Sequence, residues 1–221
     1  MEETRDVPAD ARRAVAEALR AAILRGEFVP RQRLVEADLC ERFGASRFIA
    51  RAVLQELSAQ GLVEFQRNRG ARVREISLAE AIEITEVRKL LEGMEAARAA
   101  ARVDAAQAAM LRGVVAGMRE AVGRAELMRY SELNASLHAA IRDIAAHDTA
   151  ARLLRQLRDQ TVRHQFTLSL VPGRPAVSLP QHEAIVAAVT ARDPAAAERA
   201  MHEHLQSVIE ALQALPVAAL R

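Results

Sequence analysis

Residues 62–74 read LVEFQRNRGARVR, in which two short apolar–polar alternations, LVEF and ARVR, flank a polar stretch where Asn68 and Gly70 suit a turn. A side-chain period of two belongs to strands, so this is a two-stranded hairpin, and the grammar of the chain changes on either side of it. Before it, the spacing predicts three helices. Val15, Leu19, Ala22 and Ile23 share one face of a helix over 10–25 that Gly26 stops. A turn through GEFVPRQRL leads to a short helix, VEADLCERFG, ended by Gly44. Ser46 is a good N-cap for a third helix from Arg47 to about Gln60, with Gly61 placed to close it. After Glu75 the alternation is gone. Residues 78–214 read as about six helices with breaks near Asp104, Gly123, His147–Asp148, VPGRP and Asp193–Pro194, the pattern of an antiparallel bundle joined by short loops. The expected fold is therefore mainly α: a winged helix-turn-helix with a small β-hairpin wing over 1–75, then an all-α bundle over 76–221.

Composition narrows the function classes. The chain of 221 residues is 51% apolar and 27% charged, which suits a globular protein with a sizeable core. Its single cysteine, Cys40, rules out an intramolecular disulfide framework. No apolar run approaches the roughly 20 residues of a membrane span. The opening MEETRDVPAD is acidic and has no apolar h-region, so a cytoplasmic protein with no membrane partner is expected. The net charge of +2 is uninformative until it is located. Residues 1–75 carry 14 arginines against 12 acids, while the remainder balances at 17 each. A general preference for arginine accounts for part of this, since Lys89 is the sole lysine among 31 basic residues.

On the third helix, Ile49, Val53, Leu54 and Leu57 form an inward stripe, which leaves Arg47 and Arg51 outward on the first turns. The free N–H groups at Ser46 and Arg47 favour a phosphate at that end. The second helix of a helix-turn-helix presents this end to the major groove, where guanidinium forks suit guanine edges or phosphates. Arg67, Arg69 and Arg72 on the wing would reach the flanking backbone.

Two stretches, LRAAILRGEFVPRQRLVEADLCERFGASR and LQELSAQGLVEFQRNRGARV, resemble the DNA-binding domain of the GntR family of bacterial transcription regulators. The resemblance implies that Arg47 and Arg51 contact DNA. It also implies a contact set of Ser46, Arg47, Phe48 and Arg51 on the helix with Arg67, Arg69, Gly70 and Arg72 on the wing. The chain departs from the family's usual Thr-Pro-Val-Arg-Glu-Ala-Leu run with FIARAVL, so that Phe48 replaces a small polar residue and Ala52 a glutamate. Docking survives that change; the operator sequence is what it alters.

In the second segment, His182 lies within the stripe of Ile185, Val186 and Val189 and faces the bundle interior. Asn134 and His138 are four apart on one face, beside Ile141 and next to Leu133, Leu137 and Ile144. His164 falls in line with Leu153, Leu157 and Leu168. His202 and His204 flank the stripe of Met201, Leu205, Val208 and Ile209 on opposite sides, and periodicity does not choose between them. Neutral imidazoles converging from several helices can bind a divalent cation such as zinc, nickel or manganese. Arg88 lies beside the stripe of Ile84, Val87, Leu91 and Met94, where a buried guanidinium needs a ligand carboxylate or an ion pair with Glu92 or Glu95.

The pieces EVRKLLEGMEAARAAA, LNASLHAAIRDIAAHD and QHEAIVAAVTARDPAAAERAMHEHL resemble the FCD ligand-binding domain of the FadR branch of that family. The resemblance implies a metal held by Asn134, His138, His182 and His204, with Asn134 standing where the family typically has aspartate. It places Arg88 near an effector pocket that Tyr130 and His164 line more loosely. About six helices point to the metal-dependent VanR-like subgroup. The expected protein is a homodimeric regulator, a repressor, with a DNA operator and a small carboxylate effector as partners and a divalent metal as cofactor. The alternatives are a DNA-binding regulator with a purely structural metal, and a helical metal-dependent hydrolase. The hydrolase lacks an acid at helical spacing beside His138, His182 or His204, and leaves the first third of the chain unexplained.

Overall fold

A computed structural model of the chain describes residues 7–215. The chain divides into two compact units that meet between Ile76 and Ser77. In the first unit, α1 (Val7–Leu24) precedes β1 (Arg33–Leu34), α2 (Glu36–Phe43), α3 (Arg47–Ala59), β2 (Val63–Gln66) and β3 (Gly70–Val73). The tight α2–α3 turn depends on Gly44, whose φ of 62° lies in the left-handed region that a side chain would strain. Ser46 then caps α3, its Oγ accepting from the Ile49 N–H. Leu19, Leu39, Val53, Leu54 and Leu57 pack with Phe28, Val63, Ala71 and Val73 into one apolar core. That core fixes α3 with Arg47, Phe48 and Arg51 outward.

The sheet has one strand more than the expected hairpin. Among the described residues it is three-stranded and antiparallel, in the order β1-β3-β2, with Leu34 opposite Ala71 on one side and Phe65 opposite Ala71 on the other. Two residues are too few to display alternation, so β1 reads from sequence as part of a turn. Leu34 is drawn into register because its side chain is buried in the same core as Ala71.

The second unit holds six helices among the described residues: α4 (Leu78–Arg102), α5 (Ala105–Gly123), α6 (Leu127–Ala145), α7 (Asp148–Ser169), α8 (Arg174–Thr190) and α9 (Pro194–Gln213). The breaks fall where the caps are. Ser77 and Asp193 each accept from a first-turn N–H, and Asp104 with Gln107 forms a reciprocal capping box. The core joins Ala96, Ala99 and Ala100 of α4 to Leu111 and Met118 of α5, Leu137 and Ile141 of α6, Ile185 and Val189 of α8, and Met201 and Leu205 of α9. Alanines on α4 let α9 approach closely. At Gly93 an added methyl would overlap the His202 imidazole of α9.

The apolar stripe expected on α4 is buried in part: Ile84 is buried and Leu91 and Met94 are half-buried, but Val87 is 49% exposed. Beside it Thr85, Arg88, Glu92 and Glu95 are buried, which puts a polar ladder inside. Burying charged groups is tolerated where they pair, and Arg88 and Glu92 do so.

Candidate functional site

Of the polar ladder of α4, Arg88 lines a cavity of about 60 Å³ within the bundle. That is room for about four waters, or one small ligand beside an ion. It is lined by Arg88, Tyr130, Asn134, His138, Arg158, Arg174, His182 and His204, with Gln165, Ser169 and Ser178 among the remaining polar groups.

Three imidazoles meet there. His138 of α6, His182 of α8 and His204 of α9 are 3%, 1% and 4% exposed, and each offers a ring nitrogen within 4.8 Å of the others. Ring centroids are 4.3 Å apart for His182–His204 and 5.4 Å for His138–His204. Tetrahedral zinc–imidazole bonds of about 2.0–2.1 Å would require each ring to move inward by under about 1 Å. The helix spacing therefore suits a common ligand.

The rings are held from behind. His138 Nδ1 lies 2.7 Å from Glu92 Oε2, His182 Nδ1 lies 3.1 Å from the Tyr130 hydroxyl, and His204 Nδ1 lies 3.1 Å from Gln181 Oε1. Burial would raise the Glu92 carboxyl, but Arg88, Arg158 and His138 hold it well below the usual carboxylate range. Burial lowers the pKa of all three histidines, against the pull of Glu92 on His138. An ionised Glu92 facing a neutral His138 fixes the tautomer: Nδ1–H donates to the carboxylate and Nε2 keeps its lone pair. This is the orientation device that metal-binding histidines use. His182 Nε2 and Asn134 Oδ1 are buried with no hydrogen-bond partner among the described residues. Two unpartnered donors of electron pairs in one cavity are what a cation site requires, so the side chains fit a divalent metal.

The cavity also holds cationic groups. Arg88 pairs with Glu92 through Nε at 2.9 Å and Nη2 at 2.8 Å, while its Nη1 is buried without a partner. The ion pair with Glu92 and a free fork toward the cavity thus coexist. Arg158 Nη1 and Arg174 Nη2 are likewise unpartnered, Arg174 Nη1 being anchored on Ser207 Oγ at 2.9 Å. Burial lowers Arg158 to about 10, a direction that an anion beside it would reverse.

Of the expected residues, Asn134, His138, His182, His204, Arg88 and Tyr130 all line this cavity, whereas His164 does not. His164 is 8% exposed but turns away, in the field of Glu80, and its α7 neighbours Gln165 and Leu168 take its place. Leu153, placed on the same inward line, is 43% exposed. His202 leaves the cavity to His204 and packs on Gly93 instead. Glu92 is the ion-pair partner expected for Arg88, but its contact with His138 has no signal in the sequence, nor have the places of Gln181, Arg158 and Arg174; the acid beside the histidines comes from a different helix. Glu92 reaches His138 from the ring's outer nitrogen, which orients the ring and leaves no acid among the lining residues.

In the first unit, Arg47 and Phe48 are exposed at the start of α3, Phe48 at 81%. Arg51 is exposed and forms a two-pronged pair with Glu36 of α2, at 2.9 and 3.0 Å. On the wing, Arg67, Arg69 and Gly70 are exposed, whereas Arg72 is half-buried and pairs with Glu64 across the sheet.

Profiles of two families match the two units in turn: bacterial regulatory proteins of the gntR family over residues 11–73, and the FCD domain over 83–207. The chain belongs to the GntR family of bacterial transcription regulators with an FCD domain, and it is a DNA-binding regulator rather than an enzyme. It is 29% identical over 195 residues to the HTH-type transcriptional repressor RspR of Escherichia coli K12, covering 88% of this chain and 86% of that one. It is 27% identical over 180 residues to a probable D-xylose utilization operon transcriptional repressor of Paenarthrobacter nicotinovorans, covering 80% and 77%. Escherichia coli McbR/YncC has the same fold, with a TM-score of 0.75 at 20% identity over 92% of this chain and 97% of its own. Among the described residues no helix is long and apolar enough to cross a membrane.

Proposed function

We propose that this regulator is a ligand-responsive repressor whose bundle cavity holds a divalent cation and a small organic acid effector. Asn134, His138, His182 and His204 would hold the cation, zinc, nickel or manganese, and Arg88 would receive an effector carboxylate through its unpartnered Nη1. A bound divalent cation supplies Lewis-acid affinity for a carboxylate oxygen. The chain's own residues then orient it: Glu92, Tyr130 and Gln181 hold the rings. The observation that carries this reading is the pairing, in one buried cavity, of imidazoles anchored through Nδ1 with a guanidinium nitrogen that has no partner. A purely structural ion would account for the first and leave the second without a role.

DNA binding is assigned to Ser46, Arg47, Phe48 and Arg51 of α3, with Arg67, Arg69 and Gly70 of the wing meeting the flanking backbone. Arg72 serves the sheet through Glu64. A homodimer placing one α3 on each half of a near-palindromic operator follows from matching two-fold symmetry. Effector binding shifts operator affinity only if the acid prefers one of two arrangements of the dimer.

Thermal melting of chelated protein, of protein reloaded with Zn²⁺, and of loaded protein with small carboxylic acids tests the cavity assignment. Zn²⁺ at about 100 times its Kd adds about 2.7 kcal/mol of stability, and an acid that binds adds a further increment. His182→Ala loses both responses. Identical melting in all three states refutes the assignment, and a response to Zn²⁺ without one to any acid leaves only a structural ion.

A further inference from the structure

The cavity carries more positive charge than one carboxylate balances. Arg88, Arg158 and Arg174 line it and no Asp or Glu does; among the described residues Glu92 is the one carboxylate ion-paired to any of the three. Each of the three guanidinium groups has one nitrogen without a hydrogen-bond partner among the described residues.

These nitrogens sit at two poles. Arg158 of α7 lies in the field of Glu92, Arg88, Arg142 and Glu95, on the α4 side. Arg174, at the start of α8, is anchored to Ser207 of α9 and shares its surroundings with Tyr130 and Glu210. Asn134 deepens the imbalance, since a neutral amide contributes no charge toward a cation beside it.

Resting on the effector reading above, we infer that the effector is a small organic dianion: one carboxylate meets Arg88 and Arg158, and a second anionic group meets Arg174. A monocarboxylate would satisfy one pole and leave a buried guanidinium nitrogen unpaired at the other, which is costly. The volume limits the ligand to a few carbons between the two groups. The second group is a carboxylate or a phosphate monoester, both of which an arginine fork accepts.

Calorimetric titration of the Zn²⁺-loaded full chain with acetate, malonate, succinate and phosphoglycolate tests this. At least one dianion binds about tenfold or more tightly than acetate. Arg174→Gln brings that dianion to within about twofold of acetate while acetate and Zn²⁺ affinities stay unchanged. Malonate or succinate leading identifies a second carboxylate, and phosphoglycolate leading identifies a phosphate. Should Arg174→Gln not fold, Arg174→Lys keeps the charge without the fork and weakens the dianion alone. Acetate binding as tightly as every dianion, or either variant weakening acetate and dianion equally, overturns the inference and leaves the effector reading intact. Zn²⁺ uptake with no heat from any of the four acids overturns both.

Discussion

Glu92 is the most exacting place to test the cavity wall, because two roles meet on one carboxylate. It neutralises Arg88 at 2.9 and 2.8 Å and orients His138 at 2.7 Å, with Arg88 3% and Glu92 2% exposed. Glu92→Gln keeps the shape and removes the charge. Breaking a buried pair from one side costs about 3–5 kcal/mol, since the remaining charge is left in a poor solvent. The amide oxygen can still accept from His138 Nδ1–H, which returns about 1 kcal/mol. The expected loss is then about 2–4 kcal/mol in chelated protein, or about 5–12 °C for a domain of this size. Metal affinity drops a further 10–100-fold, the usual effect of losing a histidine's supporting partner. Thermal melting by circular dichroism reads the first quantity, and competition with a zinc chelator reads the second. Removing both charges with Arg88→Met and Glu92→Leu restores part of the lost stability, because Arg88 is then no longer left as a lone ion. A Glu92→Gln protein melting within about 2 °C of the parent, with unchanged zinc affinity, would refute the reasoning.

Three further outcomes follow from features described above. Gly93→Ala drives a methyl into His202 and destabilises by about 1–3 kcal/mol in urea unfolding, and His202→Ala in the same chain relieves most of it. Glu95 is 1% exposed with neither oxygen partnered among the described residues, and burial raises its carboxyl from 4.5 to about 7. The folded state thus binds a proton that the unfolded state releases, so this group's contribution is present below pH 4.5 and lost as pH rises to about 7. Its size is at most about 3 kcal/mol, and Glu95→Gln gains on the parent between pH 5 and pH 8; equal gaps at both pH values would contradict it. Arg47→Ala and Arg51→Ala weaken operator binding and flatten its salt dependence in gel shifts, whereas Arg72→Ala, whose partner is Glu64, changes DNA affinity little and sheet stability more. Equal losses for all three would disprove that distinction.

The helix ends were the most legible part of the sequence. Gly44, Ser46, Asp104 and Asp193 all stand at the caps where their chemistry places them, because capping is settled by neighbours a few residues away. Faces were less legible than ends. On α4, Val87 of the stripe expected inside is exposed, while Glu92 and Glu95 are buried along with the expected Arg88. Periodicity measures which residues share a face but carries no information on polar partners from other helices. The same limit hid Glu92 from His138, 46 residues away in the chain. It hid Arg158 and Arg174 as well. His164 failed for the opposite reason: it shares an apolar line on α7, but the helix turns Gln165 toward the cavity in its place. His204 was distinguished from His202 by resemblance, and close packing at Gly93 gives the physical ground for it.

Because each unit closes its own apolar core, neither depends on the other to bury its leucines. Calorimetry should accordingly resolve separate endotherms instead of a single two-state transition. An ion or acid lodged among α4, α6, α8 and α9 would then move only the bundle's peak. The winged unit, sharing the same cell and the same scan, would serve as a built-in thermometer against which every bundle ligand can be gauged.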